Sequence, residues 1–212
     1  MDTTKINYNA LMEEEIARIR AEGRIPRLLL HVCCAPCASA VLMRLTEDFS
    51  VTVRYYNPNI TDAGEYAKRI EELKRLIREM PAAHPVLFSE GLYEPDTYFS
   101  AVRGHEDDPE GGERCTICFR MRLRESAAFA KENNFDYFTT TLSISPLKDA
   151  QRLNRIGAEL SGEYGVPYLF SDFKKKDGYR RSIELSGIYG LYRQDYCGCA
   201  FSKRERANQE TE

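Results

Sequence analysis

Seven cysteines fall into three tight groups that lie far apart along the 212-residue chain. In chain order the groups are Cys33, Cys34 and Cys37, then Cys115 and Cys118, then Cys197 and Cys199. Cysteines that serve only as core residues would be scattered through strands and helices. Tight groups at distant positions predict instead that folding assembles one site from all three.

The first two groups have spacings that suit different chemistries. Cys34 and Cys37 enclose Ala-Pro, which gives the C-x-x-C spacing of thiol–disulfide enzymes at a predicted strand-to-helix junction. Cys115 and Cys118 are three residues apart at the start of a predicted helix. Their side chains therefore share one helix face and can serve as a pair of metal ligands.

The third group surrounds Gly198, whose backbone freedom allows Cys197 and Cys199 to form either a strained disulfide or two metal ligands. Seven thiols exceed the four of a tetrahedral zinc site and the roughly four of an iron–sulfur cluster. Three hypotheses stay open on the residues alone. They are a metal-dependent redox site, a thiol–disulfide oxidoreductase using Cys34 and Cys37, and a zinc-stabilised RNA-binding protein.

Bulk composition limits the class of protein. The net charge of -3 and the pI near 5.8 do not predict a nucleic-acid binder from overall charge, which leaves only local basic patches. No apolar run approaches the roughly 20 residues of a membrane helix, and the N-terminus lacks a secretory signal. We therefore expect a cytoplasmic protein without a membrane partner, in which thiols are kept reduced and form no disulfide framework.

Strand and helix patterns alternate along the chain, which predicts an α/β fold. We expect a parallel sheet of about five strands with helices on both faces, followed by a helical C-terminal segment. The predicted strands are 27–32, 51–57, 85–89, 135–142 and 166–170. The predicted helices are 10–22, 38–45, 63–79, 95–102, 115–132, 148–163 and pieces of 179–208.

The predicted sheet positions the cysteines. Ligands in such folds bind outside the carboxyl ends of the strands, near a topological switch point. Cys33 and Cys34 follow the first strand, and the segment TTTLSISP, 139–146, follows the fourth. We expect these two strands to be neighbours, so that both segments border one site.

Five segments occur in a characteristic order. They are HVCCAPC at 31–37, YYNPNI at 55–60, RCTICFRMRL at 114–123, TTTLSISP at 139–146 and LYRQDYCGCAFS at 191–202. Together they resemble the iron–sulfur epoxyqueuosine reductases of the QueH family over about residues 27–202. The resemblance implies a Rossmann-like fold of the adenine nucleotide α-hydrolase (HUP) kind. It also implies reduction of epoxyqueuosine to queuosine at the wobble position of tRNA anticodons, the last step of queuosine biosynthesis.

The resemblance assigns roles to the cysteines. It implies that a [4Fe-4S] cluster is bound by Cys33, Cys34, Cys115 and Cys118. It further implies that Cys197 and Cys199 are a redox-active pair, which forms a disulfide, and that an additional mononuclear iron is bound. The residues implied for catalysis are Cys197, Cys199 and Cys37. The family pattern carries an aspartate at position 37, and either a carboxylate or a thiolate binds a second iron there.

Substrate and electron partners follow from the same resemblance. The partners are tRNA and an unidentified electron donor, and the tRNA phosphates require local positive charge. The predicted tRNA-binding residues flank the third cysteine group and are Lys174, Lys175, Lys176, Arg180, Arg181, Lys203 and Arg204. Arg120, Arg122 and Arg124 add further positive charge after the second group.

Candidate proton donors are Tyr192, Asp195 and Tyr196 beside the third group and His31 beside the first. His31 lies within an apolar strand, so we expect a hydrogen-bonded core residue there. The predicted division of the chain is an N-terminal helical extension at 1–24, a single Rossmann-like catalytic domain carrying the metal site at 25–202, and a polar, flexible tail at 203–212.

Overall fold

The computed structural model describes residues 5–209, and within that range it contains four strands and eight α-helices. The strands are β1 Arg27–His31, β2 Ser50–Tyr55, β3 Leu87–Glu90 and β4 Tyr137–Thr140. The helices are α1 Tyr8–Ala21, α2 Ala35–Leu45, α3 Ala63–Glu79, α4 Pro95–Ala101, α5 Glu113–Glu132, α6 Ala150–Tyr164, α7 Gly178–Ile188 and α8 Ala200–Gln209. None of these helices has the length and apolar character needed to cross a bilayer.

The four strands form one parallel sheet in the order β3-β2-β1-β4. β1 pairs with both β2 and β4, which confirms the expectation that the first and fourth predicted strands are neighbours. His31 at the end of β1 is aligned with Thr140 at the end of β4. The segments that follow β1 and β4 therefore leave the sheet side by side.

The predicted fifth strand, 166–170, is reduced to a single bridge between Tyr168 and Phe138. Backbone hydrogen bonds join Phe138 N–H to Pro167 O and Leu169 N–H to Phe138 O, each at 3.0 Å. Pairing does not extend further because β4 ends at Thr140, where the chain turns into a 3-10 helix. Pro167 also has no N–H to donate.

Both faces of the sheet are covered by helices, as predicted. Leu28 and Leu30 of β1 pack into a core shared with α1, α2, α3 and α7, whereas Leu29 packs into a second core shared with α5 and α6. All three leucines are fully buried. A strand buried on both faces reads as a continuous apolar run, which explains the sequence RLLLH.

Helix α2 begins at Ala35, three residues before the predicted start at 38. Pro36 occupies its first turn, where a missing N–H costs nothing, and the extended residue Cys34 caps it. Cys37 therefore lies in the first turn of α2, directly beyond β1. The 3-10 helix Thr141–Ile144 begins beside it, with Thr140 accepting a hydrogen bond from Leu142 N–H at 3.1 Å.

The division into an extension, a domain and a tail stays a prediction. Helix α1 contributes Met12, Ile16 and Ile19 to the same core as β1, and α8 runs through 200–209. Residues 1–4 and 210–212 of the predicted outer segments lie outside the described residues.

Candidate metal centre

A cavity of about 280 Å³ opens beyond the carboxyl ends of β1 and β4. One wall comes from the segment after β1, and the opposite wall comes from residues 144–148 after β4. The loop 193–197 closes a third side. This is the position at which open α/β sheets bind ligands.

The thiols of Cys33, Cys34 and Cys37 converge at this cavity, and their Sγ atoms all lie within 4.8 Å of one another. Cys33 Sγ and Cys34 Sγ are 3.8 Å apart. A tetrahedral ion with metal–sulfur bonds of about 2.3 Å holds its thiolates about 3.8 Å apart. The first cysteine group therefore has the spacing of ligands to one metal ion.

Hydrogen bonds within the first cysteine group favour the deprotonated form of Cys33. Donation from Cys34 and Cys37 holds the pKa of Cys33 well below its usual range. The hydrogen bond to Cys33 raises the pKa of Cys34 to about 12, and the same interaction raises the pKa of Cys37. The low-pKa thiol is thus Cys33, not a member of the Cys34/Cys37 pair. This pattern differs from that of a thiol–disulfide enzyme, in which a cysteine of the C-x-x-C pair has the lowered pKa.

The second group lies in the first turns of α5. Cys115 Sγ accepts a hydrogen bond from Gly111 N–H at 3.2 Å, and Cys118 is buried. Burial raises the pKa of both thiols, that of Cys118 to about 12. A metal would therefore have to displace their protons on binding.

The third group is split between two environments. Cys197 lines the cavity, whereas Cys199 packs in a small buried cluster with Tyr98, Val102 and Cys118. Burial raises the pKa of Cys199. All seven cysteines belong to the described residues and all are free thiols, so the predicted redox-active disulfide finds no support.

Gly198 separates the two cysteines because its backbone has a φ of +107°. An added Cβ would lie 3.0 Å from Ile60 Cγ1 and 3.2 Å from the Arg69 guanidinium. We expect Gly198→Ala to lower the free energy of unfolding by about 1–3 kcal/mol, measured by guanidinium denaturation. Gly162→Ala, in an open position of α6, is the control and should stabilise the helix by about 0.5–1 kcal/mol. Equal losses in both variants would contradict this explanation.

Arg122 is a buried cation without an anionic partner. Its side chain is 1% exposed. The guanidinium Nε lies 3.4 Å from His31 Nε2, and Nη1 lies 3.5 Å from Cys118 Sγ. The remaining nitrogen, Nη2, has no hydrogen-bond partner. Burial lowers the pKa of His31 to about 3, so this imidazole is neutral, as expected for a core histidine. No carboxylate of the described residues forms an ion pair with Arg122, and an uncompensated buried charge costs several kcal/mol.

Two more cations border the thiols. Arg69 is buried and pairs with Glu65 at 2.6 Å, but its Nη2 has no partner. Lys148 lines the cavity, where burial lowers its pKa but the neighbouring cysteines raise it by more. Soft thiol donors beside the cations Arg122 and Lys148, which have no ion pair within the described residues, fit a metal centre that carries several thiolates. The residues present therefore suit a thiolate-ligated metal site.

Lys148 is not among the residues predicted from the sequence, and Arg122, grouped there with the positive charge available to tRNA, is buried. Two signals were present in the sequence. Lys148 stands just after TTTLSISP at the carboxyl end of β4, and Arg122 follows Cys118 by one helical turn. Of the candidate proton donors, Asp195 and Tyr196 line the cavity, whereas the Tyr192 hydroxyl donates to Glu65 at 3.2 Å.

Most of the residues predicted to bind tRNA are paired with acids. The ion pairs are Lys174–Asp172 at 2.9 Å, Lys176–Glu13 at 2.6 Å, Arg180–Asp177 at 3.0 Å, Arg181–Glu184 at 2.9 Å, Lys203–Asp62 at 3.6 Å and Arg204–Asp107 at 3.4 Å. Lys175 has no acidic partner among the described residues. Its positive charge is therefore the least compensated of the seven.

Comparison with known proteins identifies the family. Residues 28–205 match the profile described as Epoxyqueuosine reductase QueH. Proteins of that name from Streptococcus pyogenes and Staphylococcus epidermidis are 42% and 39% identical to this chain. The alignments cover 94% and 95% of this chain and 79% and 87% of the relatives. The Thermotoga maritima protein of that name is 33% identical, with 87% of this chain and 94% of the relative covered.

The family match includes all three cysteine groups and the cavity that is lined by Cys33, Cys34, Cys37 and Cys197. The chain belongs to the epoxyqueuosine reductase QueH family, and it is accordingly an oxidoreductase.

Proposed function

We propose that this protein reduces epoxyqueuosine to queuosine at the wobble position of tRNA, using a [4Fe-4S] cluster and an additional mononuclear iron. The observation that carries the proposal is the cavity at which Cys33, Cys34, Cys37 and Cys197 meet the cations Arg69 and Lys148. Family membership supplies the substrate. The parallel sheet with helices on both faces supports the Rossmann-like, HUP-type assignment, and a tRNA substrate supports a cytoplasmic location.

The cysteines provide two sets of ligands in this proposal. Cys33, Cys34, Cys115 and Cys118 would hold the cluster, and Cys37 would contribute to the additional iron. When bound, such a centre supplies electrons one at a time and a Lewis-acidic iron. The convergence of the first group's three thiols on one cavity and the unneutralised charge of Arg122 support a thiolate-ligated centre here. Cys197 and Cys199 stay candidates for catalytic thiols.

The chain's other residues would bind and orient the substrate. Leu147 is 74% exposed at the cavity rim, and Tyr179 lines the same rim. Such side chains can pack against or stack on a nucleobase at the entrance. Epoxide deoxygenation breaks both C–O bonds, forms one C=C bond, consumes two electrons and two protons, and releases water.

The direct test uses anaerobically purified protein loaded with iron and sulfide. We expect this protein, with dithionite as the one-electron reductant, to convert epoxyqueuosine tRNA into queuosine tRNA. The readout is mass spectrometry of the digested nucleosides, in which the product lacks one oxygen atom. Unchanged substrate with protein that carries its full metal content would contradict the proposed function.

Lys175 is expected to contribute most to tRNA affinity among the predicted basic residues because no acid within residues 5–209 pairs with it. Lys175→Ala should weaken binding and reduce the slope of log K against log salt by about 0.7–0.9, the value for one phosphate contact. Filter binding or fluorescence anisotropy across a salt series measures this slope. The control is Lys131→Ala, an exposed residue in the last turn of α5. Identical slopes for the wild type and the Lys175 variant would be the contrary result.

A further inference from the structure

We propose that the ammonium group of Lys148 is a catalytic group that binds the epoxide oxygen and stabilises the negative charge developing on it as the first C–O bond breaks. This inference rests on the proposed function and adds a named substrate-contacting residue to it.

The backbone holds Lys148 firmly at the cavity. It follows the 3-10 helix after β4, and its N–H donates to Ser145 O at 3.2 Å. The next residue, Asp149, caps α6 by accepting hydrogen bonds from Gln151 N–H at 2.8 Å and Arg152 N–H at 3.3 Å. Lys148 thus lies in a short connection fixed at both ends, while its side chain reaches into the cavity.

The ammonium of Lys148 is free to bind a ligand. In the described range of 5–209, no carboxylate forms an ion pair with it and no hydrogen bond engages its Nζ. The Asp149 carboxylate is used in the helix cap, and Glu110, which also lines the cavity, accepts from Ser202 Oγ at 3.2 Å. The nearby lysines Lys174 and Lys176 both pair with acids.

The other cations that line the cavity each have hydrogen-bond partners. Arg69 pairs with Glu65 and also donates to Cys197 O at 3.3 Å, and its side chain is 1% exposed. Arg122 is equally buried, and its guanidinium lies against His31 and Cys118. Arg193 is exposed and donates to Ser186 Oγ on α7 at 3.0 Å. Lys148 is half-buried, and of these four cations it is the one whose charged group has neither an ion pair nor a hydrogen bond within residues 5–209.

The reaction requires such a group. Its two electrons come from a one-electron reductant, its two protons come from water, and the departing oxygen carries negative charge once the first C–O bond breaks. An ammonium hydrogen bond stabilises that charged oxygen more than the neutral epoxide, so it accelerates the step. Removing one comparable donor to a developing oxyanion lowers a rate about 10²–10³-fold.

The test compares Lys148→Met with the wild type in single-turnover reactions with excess metal-loaded enzyme and dithionite. We expect the rate constant to fall at least about 100-fold, with tRNA affinity within twofold and unchanged iron and sulfide content. Lys148→Arg keeps a cationic donor and should recover part of the lost rate. Lys131→Met, a lysine remote from the cavity, should match the wild type.

Three results would overturn the role of Lys148 alone. They are a Lys148→Met rate constant within threefold of the wild type, a loss confined to tRNA affinity, and a loss of bound iron in step with the loss of rate. The last two would make Lys148 a phosphate contact or a support of the metal centre. Wild-type protein that carries its metals but converts no epoxyqueuosine would instead overturn the proposed function together with the inference.

Discussion

Replacing Cys118 by alanine is expected to remove most of the iron and acid-labile sulfide from anaerobically purified protein and to abolish its absorbance near 400 nm. Cys118 lies on α5 and is 6% exposed, with the guanidinium of Arg122 against its sulfur. If Cys118 is a cluster ligand, its loss leaves an iron without its fourth donor. Epoxyqueuosine reduction should fall below detection in the same preparation.

Cys199→Ala is the matched control for this experiment. Cys199 is 7% exposed and packs in the same buried cluster as Cys118, so both substitutions remove a similar sulfur from a similar environment. The Cys199 variant should keep its iron, sulfide and colour. Full metal content in the Cys118 variant, or equal loss in both, would contradict the assignment of Cys118 as a ligand.

Arg122→Met is expected to change the stability of the metal-free and metal-loaded proteins in opposite directions. Without metal, the substitution replaces an uncompensated buried cation by an apolar side chain of similar length. The free energy of unfolding should rise by about 1–4 kcal/mol. With metal, the thiolate-rich centre loses a neutralising charge, so chelators should strip iron from the variant faster than from the wild type.

Arg120→Met provides the control on the same helix. Arg120 is exposed and pairs with Glu159 at 2.5 Å, so its removal should cost about 0–1 kcal/mol in either state. Denaturant unfolding of both forms and the rate of iron release to a chelator give the two readouts. If the metal-free Arg122→Met variant is less stable than the metal-free wild type, the Arg122 guanidinium already has compensating partners without metal, and this explanation is wrong.

Much of the fold could be predicted because local patterns agreed with the tertiary structure. The apolar run of β1 and the strand–helix alternation predicted a parallel sheet, and chain order suggested that β1 and β4 are neighbours. The fifth strand was wrong because its pairing depends on where β4 ends. That end is set by the turn at Thr140, which a pattern of β-branched and aromatic residues at 135–142 does not reveal.

The sequence predicted the thiol ligands of the candidate site but not the buried or unpaired cations beside them. Clustering predicted that the three cysteine groups meet; Cys33, Cys34, Cys37 and Cys197 border one cavity, whereas Cys115, Cys118 and Cys199 are not among its lining residues. The burial of Arg122 depends on which face of α5 meets β1, and periodicity did not resolve that face. Likewise, Lys148 lines the cavity without an acidic partner among the described residues, whereas Lys174 pairs with Asp172, and this difference exists only in the folded chain.

In the proposed function, the first and second cysteine groups hold one iron–sulfur site beside the third group. Iron, zinc and acid-labile sulfide analysis of freshly isolated anaerobic protein is the decisive measurement. We expect about four sulfides and four to five irons per chain, with little zinc. One zinc per chain without sulfide, persisting after anaerobic reconstitution with iron and sulfide, would overturn the iron–sulfur site and favour a structural zinc site.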